Sequence, residues 1–329
     1  MTDLASRSSR DDLEHQLERH RRELTGYCYR MMGSSFEAED AVQETMIRAW
    51  KGYDRFEGRA ALRSWLYRIA TNVCLDMLTG RQRRARPMDL GSEPVSRVTS
   101  PGATRPEATW IEPMPTGRVV ADGGDPGEVT VARESVKLAF IGALQHLPPR
   151  QRAVLILREV LRWKAEEVAQ LLGTSVASVN SALQRARATI DARELTLADA
   201  PEHVDHEQEP LLARYLDAFE RYDMDALTAL IHEDATQAMP PYEMWLRGRA
   251  DVLDFWVGPG AACRGSRLVP TTANGQPAFG QYRRSPDGGY EPWALQVLDI
   301  TDGQITDMMF FLDTERVFPL FGLPSRLES

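Results

Sequence analysis

Cysteine is scarce in this chain. Cys28, Cys74 and Cys263 are widely separated, form no C-x-x-C pair and have no histidine at metal-ligand spacing. That set excludes a disulfide framework and a zinc site, and each thiol reads as a small buried apolar group. Long apolar runs are missing too: nothing approaches the roughly 20 consecutive apolar residues that cross a bilayer. The opening MTDLASRSSRDD lacks the apolar core of a secretion signal. No membrane partner and a cytoplasmic location are therefore expected.

Positive charge is also in short supply overall, with 39 Lys and Arg against 48 Asp and Glu, a formal net charge of -9. The balance is uneven along the chain: 16 basic against 13 acidic residues in 1–86, 4 against 8 in 87–135, 9 against 6 in 136–200 and 10 against 21 in 201–329. A basic nucleic-acid surface in front and an acidic module behind can coexist, the module either masking that surface or simply presenting a solvated face. The 329 residues, 43% of them hydrophobic, suffice for two or three separate cores.

What is present is organised around Leu147 to Arg187. Val168, Leu171 and Leu172 recur at i, i+3, i+4, Gly173-Thr174-Ser175 interrupts, and Val176, Val179 and Leu183 resume the stripe. Two short amphipathic helices meeting at a tight turn make a helix-turn-helix. Its second helix leaves Ser178, Asn180, Ser181, Gln184, Arg185 and Arg187 outward, donors and guanidinium forks suited to base edges and phosphates. A plain helical hairpin shares the apolar pattern; the basic outer face and the LPPRQR entry distinguish the two.

Upstream, Leu13 to Trp50 is helical with a break at Gly33-Ser34-Ser35, and a second helix starts with acidic residues in its first turn. Asp40, Gln43, Glu44 and Arg48 share one side of it, while Ala41, Val42, Met46, Ile47 and Trp50 supply apolar packing. Phe56, Glu57, Gly58, Arg59, Ala60 and Ala61 form a loop before a helix over 62–78 whose buried side is Trp65, Leu66, Ile69, Val73 and Leu78. Arg59, Arg63, Arg68, Arg81, Arg83, Arg84 and Arg86 place seven guanidiniums within 28 residues, opposed only by Asp76, a footprint for phosphate.

Residues 87–134 carry seven prolines and no sustained period, which reads as an extended linker. Its apolar pair Trp110-Ile111 is either a docking anchor or a contact on a folded domain. Beyond residue 195 the order changes. Helices are expected at Glu209 to Tyr222, Met224 to His232 and Arg249 to Val257. Strands follow at Leu268 to Thr271, Pro277 to Arg284, Trp293 to Ile300 and Gln304 to Phe311, separated by glycine turns. The fold class is thus multidomain: two all-α domains joined by a flexible linker, then an α+β domain.

These spellings resemble a known family. The pattern W-x-x-E-E-V-A-x-L-L-G-x-S-x-x-S-V-x-S-x-L-x-R-A-R behind L-P-P-R-Q-R and L-I-L-R-E-V resembles region 4 of bacterial RNA polymerase sigma factors of the extracytoplasmic-function type. A-E-D-A-V-Q-E-T-M-I-R-A-W resembles their region 2.2, and W-L-Y-R-I-A-x-N-x-x-x-D followed by arginines their regions 2.3 to 2.4. The resemblance implies region 2 over 10–86, a connector over 87–134 threading toward the polymerase cleft, and region 4 over 135–195. It implies core RNA polymerase and promoter DNA as partners, with no cofactor, no metal and no catalytic residue.

Carried over residue by residue, it gives Asp40, Gln43 and Glu44, with Arg48 as a weaker addition, to the clamp helices of the β′ subunit. The stretch Ala153 to Leu161 goes to the β flap. The loop of Phe56, Glu57, Gly58, Arg59, Ala60 and Ala61 would capture a base of the −10 element, with Asn72, Arg81, Arg83 and Arg84 on the opened strand. Ser178, Asn180, Ser181, Gln184, Arg185 and Arg187 would read the −35 element. Opening a duplex costs roughly 1.4 kcal/mol per stacked step, so such a protein must hold the single strand better than the duplex.

Over 208–325, LLARYLDAFERYDMDALTALIHEDA, MPPYEMWLRGRADVLDFW and VLDITDGQITDMMFFLD resemble the SnoaL-like branch of the NTF2-like fold. That implies a cone with an apolar cavity, with Met239, Trp245, Trp256, Phe279 and Trp293 as candidate lining. His232, Asp234, Glu243 and Asp313 are the acid/base candidates, and the sequence brings no pair of them together. The domain is expected to modulate the sigma regions, with a small-molecule ligand as an option and a separate anti-sigma factor left open. The apolar tail Arg316 to Pro324 either closes the cone or docks on the sigma domains, and docking is the expectation. A one-component regulator with an NTF2-like sensor would need neither the AEDAVQET helix nor the WLYRIATN helix; a cyclase or isomerase would need a convergent acid/base pair.

Overall fold

The structure is a computed structural model that describes residues 14–53, 56, 61–96, 98, 100–120, 125–192 and 208–328. The chain divides into two compact units: residues 1–83 with 117–198, and residues 84–116 with 199–329.

The first unit is helical. Helices α1 (Arg21–Met32), α2 (Ser35–Gly52) and α3 (Leu62–Leu78) enclose a core of Leu24, Tyr27, Cys28, Met31, Ala38, Val42, Leu66, Ala70 and Val73. The break foreseen at 33–35 is a tight α1–α2 corner. Gly33 adopts the left-handed region (φ 70°) that a side chain resists, and the Ser34 hydroxyl accepts the Glu37 N–H to cap α2. Helices α4 (Pro126–Glu134), α5 (Leu138–Gln145) and α6 (Pro149–Leu155) follow, α6 running into a π turn at Ile156–Val160, and then α7 (Ala165–Leu172) and α8 (Val176–Asp191).

The helices on the two sides of this unit are joined by buried guanidiniums. Arg152, 4% exposed, donates to Gln145 Oε1 at 2.6 Å, to the carbonyls of Gln145 and Leu147 at 3.2 Å each, and to the Met31 carbonyl. Arg30 donates to Ser135 Oγ at 2.7 Å and to the Ala132 carbonyl at 3.2 Å. Burial pulls both guanidiniums down to about 10, so they stay charged at neutral pH. Tyr67 of α3 packs its ring 5.1 Å from Trp163, just ahead of α7.

The expected linker over 87–134 is not one segment. Residues 84–116 pack into the second unit and the residues from 117 onward into the first. Proline density hides this, because a stretch without period can still bury side chains in irregular structure. Trp110, Ile111, Met114, Val119 and Val120 are all buried.

The second unit is a six-stranded sheet, β1 (Ile231–Ala238), β2 (Trp245–Arg247), β3 (Arg267–Ala273), β4 (Gln276–Arg284), β5 (Tyr290–Thr301) and β6 (Gln304–Phe311), in the order β2-β1-β6-β5-β4-β3. The β1–β6 pair is parallel and the others antiparallel. Its concave core holds Tyr215 and Phe219 of α9 (Glu209–Arg221), Leu227 of α10 (Met224–Leu230) and Val252, Phe255 and Trp256 of α11 (Arg249–Val257). Tyr215 Oη donates to Gln296 Oε1 at 2.8 Å, Gln296 Nε2 to Gln281 Oε1 at 2.9 Å, and Gln281 Nε2 to Ser266 Oγ at 3.1 Å, a buried polar ladder with its members paired.

Residues 84–116 are stitched to this sheet by backbone. Val95 N–H donates to the Trp245 carbonyl on edge strand β2, Asn274 N–H donates to the Met114 carbonyl, and Asn274 Oδ1 accepts the Met114 N–H. Two expectations are corrected here. Ile231 to His232 ends no helix: the chain turns into β1, a strand concealed by the polar run His232-Glu233-Asp234 and fixed by pairing with the distant β6. The apolar tail serves its own domain: in and after α12 (Thr314–Leu320), Phe318 packs 5.2 Å from Tyr282, whose Oη donates to the Pro324 carbonyl at 2.8 Å.

Replacing Arg152 with alanine strands buried carbonyls at the ends of α1 and α5. Urea unfolding of the full chain followed by circular dichroism should show a loss of about 3 kcal/mol. The exposed neighbour Arg150→Ala should change stability by less than about 0.5 kcal/mol.

Candidate nucleic-acid interface

The α7–α8 pair is a helix-turn-helix by geometry. Gly173 closes α7 in the left-handed conformation (φ 61°) and Ser175 caps α8, its hydroxyl accepting the Ser178 N–H at 3.2 Å. Val179, Leu183, Ala186 and Ile190 turn inward, and Ser178, Asn180, Ser181, Gln184, Arg185 and Arg187 are all exposed. Ser178 Oγ lies 2.9 Å from Ser175 Oγ, and Arg187 pairs with Glu159 at 2.7 Å, so these two also serve the local fold. Asn180 with Gln184 and Ser181 with Arg185 form two adjacent i, i+4 rows, a set of donors and acceptors the width of a base-pair edge.

On α2, Asp40, Gln43 and Arg48 are exposed and Glu44 is half-buried. Arg48 bridges Glu44 at 2.7 Å and Asp76 of α3 at 3.4 Å, and the Glu44 hydrogen bond raises its pKa. Ile47 and Trp50, expected to pack inside, are 39% and 42% exposed. They continue the stripe at 40, 43, 47 and 50, so a polar face runs into an apolar one. The 3.6-residue spacing carried that signal; the expectation that large apolar groups go inside overrode it.

The third surface is partly described. Glu57, Gly58, Arg59 and Ala60 lie outside the described residues. Phe56 stacks between Tyr53, with ring centroids 6.0 Å apart, and Trp65, 4.9 Å apart, an aromatic step at the entrance to α3, where Ala61 is exposed. Arg68 and Asn72 stand exposed one turn apart on α3. Arg81 and Arg83 are exposed, the first paired with Glu37 and the second against His146.

Arg84 is corrected. It is 6% exposed, donates to the Trp110 carbonyl at 2.7 Å and the Glu107 carbonyl at 3.3 Å, and lies 3.9 Å from Glu112. Its charge is spent inside the second unit. Arg86 is likewise tied to Asp89 at 2.9 Å, and Arg63 to Glu23 at 2.8 Å while lying over the Tyr67 and Trp163 rings. Counting arginines overestimated the phosphate footprint because the partners of Arg84 and Arg86 lie in segments with no helical period, and that of Arg63 on a helix some forty residues away.

The second unit encloses a cavity of about 170 Å³ lined by Met239, Trp256 and Trp293 as expected, and also by Phe219, Tyr222, Phe255 and Phe310. Trp245 and Phe279 do not line it. Trp245 donates its indole N–H to the Ser92 carbonyl at 3.0 Å, and Phe279 packs on Tyr215 at 5.6 Å. Nor do His232, Asp234, Glu243 or Asp313; Glu243 pairs with Arg105 at 2.7 Å. Among the described residues, no carboxylate or histidine lines the cavity, so no acid/base pair of that kind converges there.

Comparison with known proteins agrees with this division. The family described as Sigma-70 region 2 matches residues 17–84, Sigma-70 region 4 matches 137–190, and the SnoaL-like domain matches 212–308. The ECF RNA polymerase sigma factor SigG of Mycobacterium tuberculosis is 46% identical over 326 residues, 97% of this chain and 85% of that protein. The ECF RNA polymerase sigma factor SigJ of the same species is 30% identical over 222 residues, 67% of this chain and 62% of that protein. The crystal structure of SigJ superposes with a TM-score of 0.61 at 22% identity, covering 94% of this chain and 99% of that one.

Because Arg84 is structural, Arg84→Ala should speed amide hydrogen exchange over 107–112 in the full chain and leave exchange across 176–191 unchanged. Mass spectrometry reads both. Faster exchange in α8 with protection kept at 107–112 would reverse the assignment.

Proposed function

Since this chain belongs to the extracytoplasmic-function sigma factors, which bind core RNA polymerase and direct initiation at particular promoters, we propose how its surfaces divide that work. Asp40, Gln43 and Glu44 dock on the β′ clamp helices, with Ile47 and Trp50 extending the contact. An exposed tryptophan beside an isoleucine on a rigid helix is the composition of a protein-binding hot spot. Asn180, Ser181, Gln184 and Arg185 enter the major groove of the −35 element, with Ser178 and Arg187 at the rim. The Phe56–Trp65 step, Asn72, Arg81 and Arg83 take the opened strand of the −10 element by stacking and charge. Of the stretch expected at the β flap, Ala153 to Leu157 are buried, which leaves Arg158 to Leu161 at the end of the π turn to be offered to it, and the C-terminal domain modulates the sigma regions.

The observation that carries this reading is α8, whose six polar side chains all stand outside a stripe of four buried ones. The α2 stripe favours a polymerase partner over a self-sufficient regulator, which has no use for it.

The first unit as folded is too small to touch both elements. Their nominal separation, about 25 base pairs, spans roughly 85 Å at 3.4 Å per step. A compact body of about 160 residues has a radius of gyration near 15 Å. Docking on polymerase must therefore part the contacts of Arg30, Arg152 and Trp163. The closed state is poised for that, since the Trp163 indole N–H is buried with no hydrogen-bond partner, a deficit on the order of 1–3 kcal/mol.

Run-off transcription of genomic fragments with core enzyme tests the assignment. Arg185→Ala should weaken −35-dependent promoters by about 1–3 kcal/mol, and unchanged promoter selectivity would remove Arg185 from the reading set. Paired Asp40→Ala and Gln43→Ala changes should reduce co-migration with core enzyme and keep the order of promoter preference. Templates that stay silent with the unaltered chain would sink the whole reading.

A further inference from the structure

The C-terminal cavity is built for a particular kind of molecule. Its volume, about 170 Å³, is close to the roughly 150 Å³ of an engineered apolar cavity that holds one benzene ring. Phe219, Phe255, Trp256 and Phe310 supply flat apolar walls.

Gln281, Tyr222 and Cys263 also line the cavity, but two other polar groups shape what it can hold. Gln237 is 1% exposed. The Trp256 indole N–H donates to Gln237 Oε1 at 2.7 Å, which fixes the amide's orientation and sends its NH2 the other way. The acceptor recorded for that NH2 is the Met239 sulfur at 3.7 Å. A thioether is a weak acceptor, so a buried donor in the cavity lining is left wanting an oxygen. The second group is Arg283, whose guanidinium lies 4.0 Å over the Trp293 ring while its Nε donates to the Ala262 carbonyl at 3.1 Å. Both Arg283 and Trp293 line the cavity, and among the described residues no acidic side chain does. Burial raises the pKa of the lining Cys263 thiol, which keeps it neutral and adds no negative charge. Among the described residues, the cavity therefore presents one guanidinium, one poorly satisfied amide donor and no carboxylate.

We propose that this cavity is a binding site for a planar, single-ring carboxylate. The ring lies between the aromatic walls, and carboxylate oxygens accept from the Gln237 amide and the Arg283 guanidinium. The proposal is independent of how the sigma regions act on DNA.

Ligand-observed NMR on the full chain, with benzoate, benzene and benzylamine as probes, tests it. Benzoate should bind, benzene more weakly, and benzylamine not at all. Arg283→Gln should weaken benzoate by about tenfold and leave benzene unchanged, and Gln237→Leu should weaken benzoate similarly. Arg283 is near the surface, so its variant keeps the fold even if the buried Gln237 change does not. Benzoate affinity that survives Arg283→Gln, equal affinity for benzene and benzoate, or no binding of any probe at about 10 mM would each overturn the proposal.

Discussion

A positive charge kept away from water holds the helical unit together. Arg152 sits where α1 and α5 end, and its acceptors are the carbonyls those helices leave unpaired, Met31 on one side and Gln145 and Leu147 on the other. Helix C-termini carry partial negative charge, so a guanidinium there satisfies orphan acceptors and the dipoles together. Gln145 completes the joint: its Oε1 accepts from Arg152 and its Nε2 faces the Arg30 carbonyl at 3.5 Å. Regions 2 and 4 thus meet through these polar groups as well as through the Tyr67–Trp163 ring contact. Such a joint fixes one geometry when closed and finds replacement partners in water or another protein when open.

The sigma surfaces depend on that joint only for their starting arrangement. Each is made within its own helices: α8 by capping and a buried stripe, α2 by the Gly33–Ser34 corner, the aromatic step by Phe56 resting on Trp65. Local construction would let them keep their shape through the proposed parting of the regions. The cavity is different in kind, since its lining comes from α9, α10, α11 and strands throughout the sheet. It exists only when the whole C-terminal unit is assembled.

This contrast explains what could be read beforehand. The outward face of α8, the α2 side chains and the strands over 277–311 followed from periodicity, because one element decides them. The burial of Arg84 could not, since it depends on Trp110 and Glu107, more than twenty residues away in a stretch without period. Strand β1 escaped because its polar sequence is made a strand by β6, some seventy residues on. Trp245 and Phe279 were aromatic in the right domain, yet pairing with Ser92 and Tyr215 keeps them out of the cavity. Composition identified the kind of residue, and topology decided its use.

The path of the chain through the C-terminal unit has a mechanical side. Between region 2 and region 4 the backbone leaves as residues 84–116, hydrogen-bonded to the sheet, and returns at 117. Stretched out, those residues would reach about 110 Å, and these hydrogen bonds hold part of that length against the sheet. Two of the fastenings that hold this strap in its own domain are the Arg84–Trp110 clasp and the Met114–Asn274 buckle. Opening either fastening would convert folded strap into free tether, so the stability of the C-terminal domain sets how much loose chain lies between residues 83 and 117.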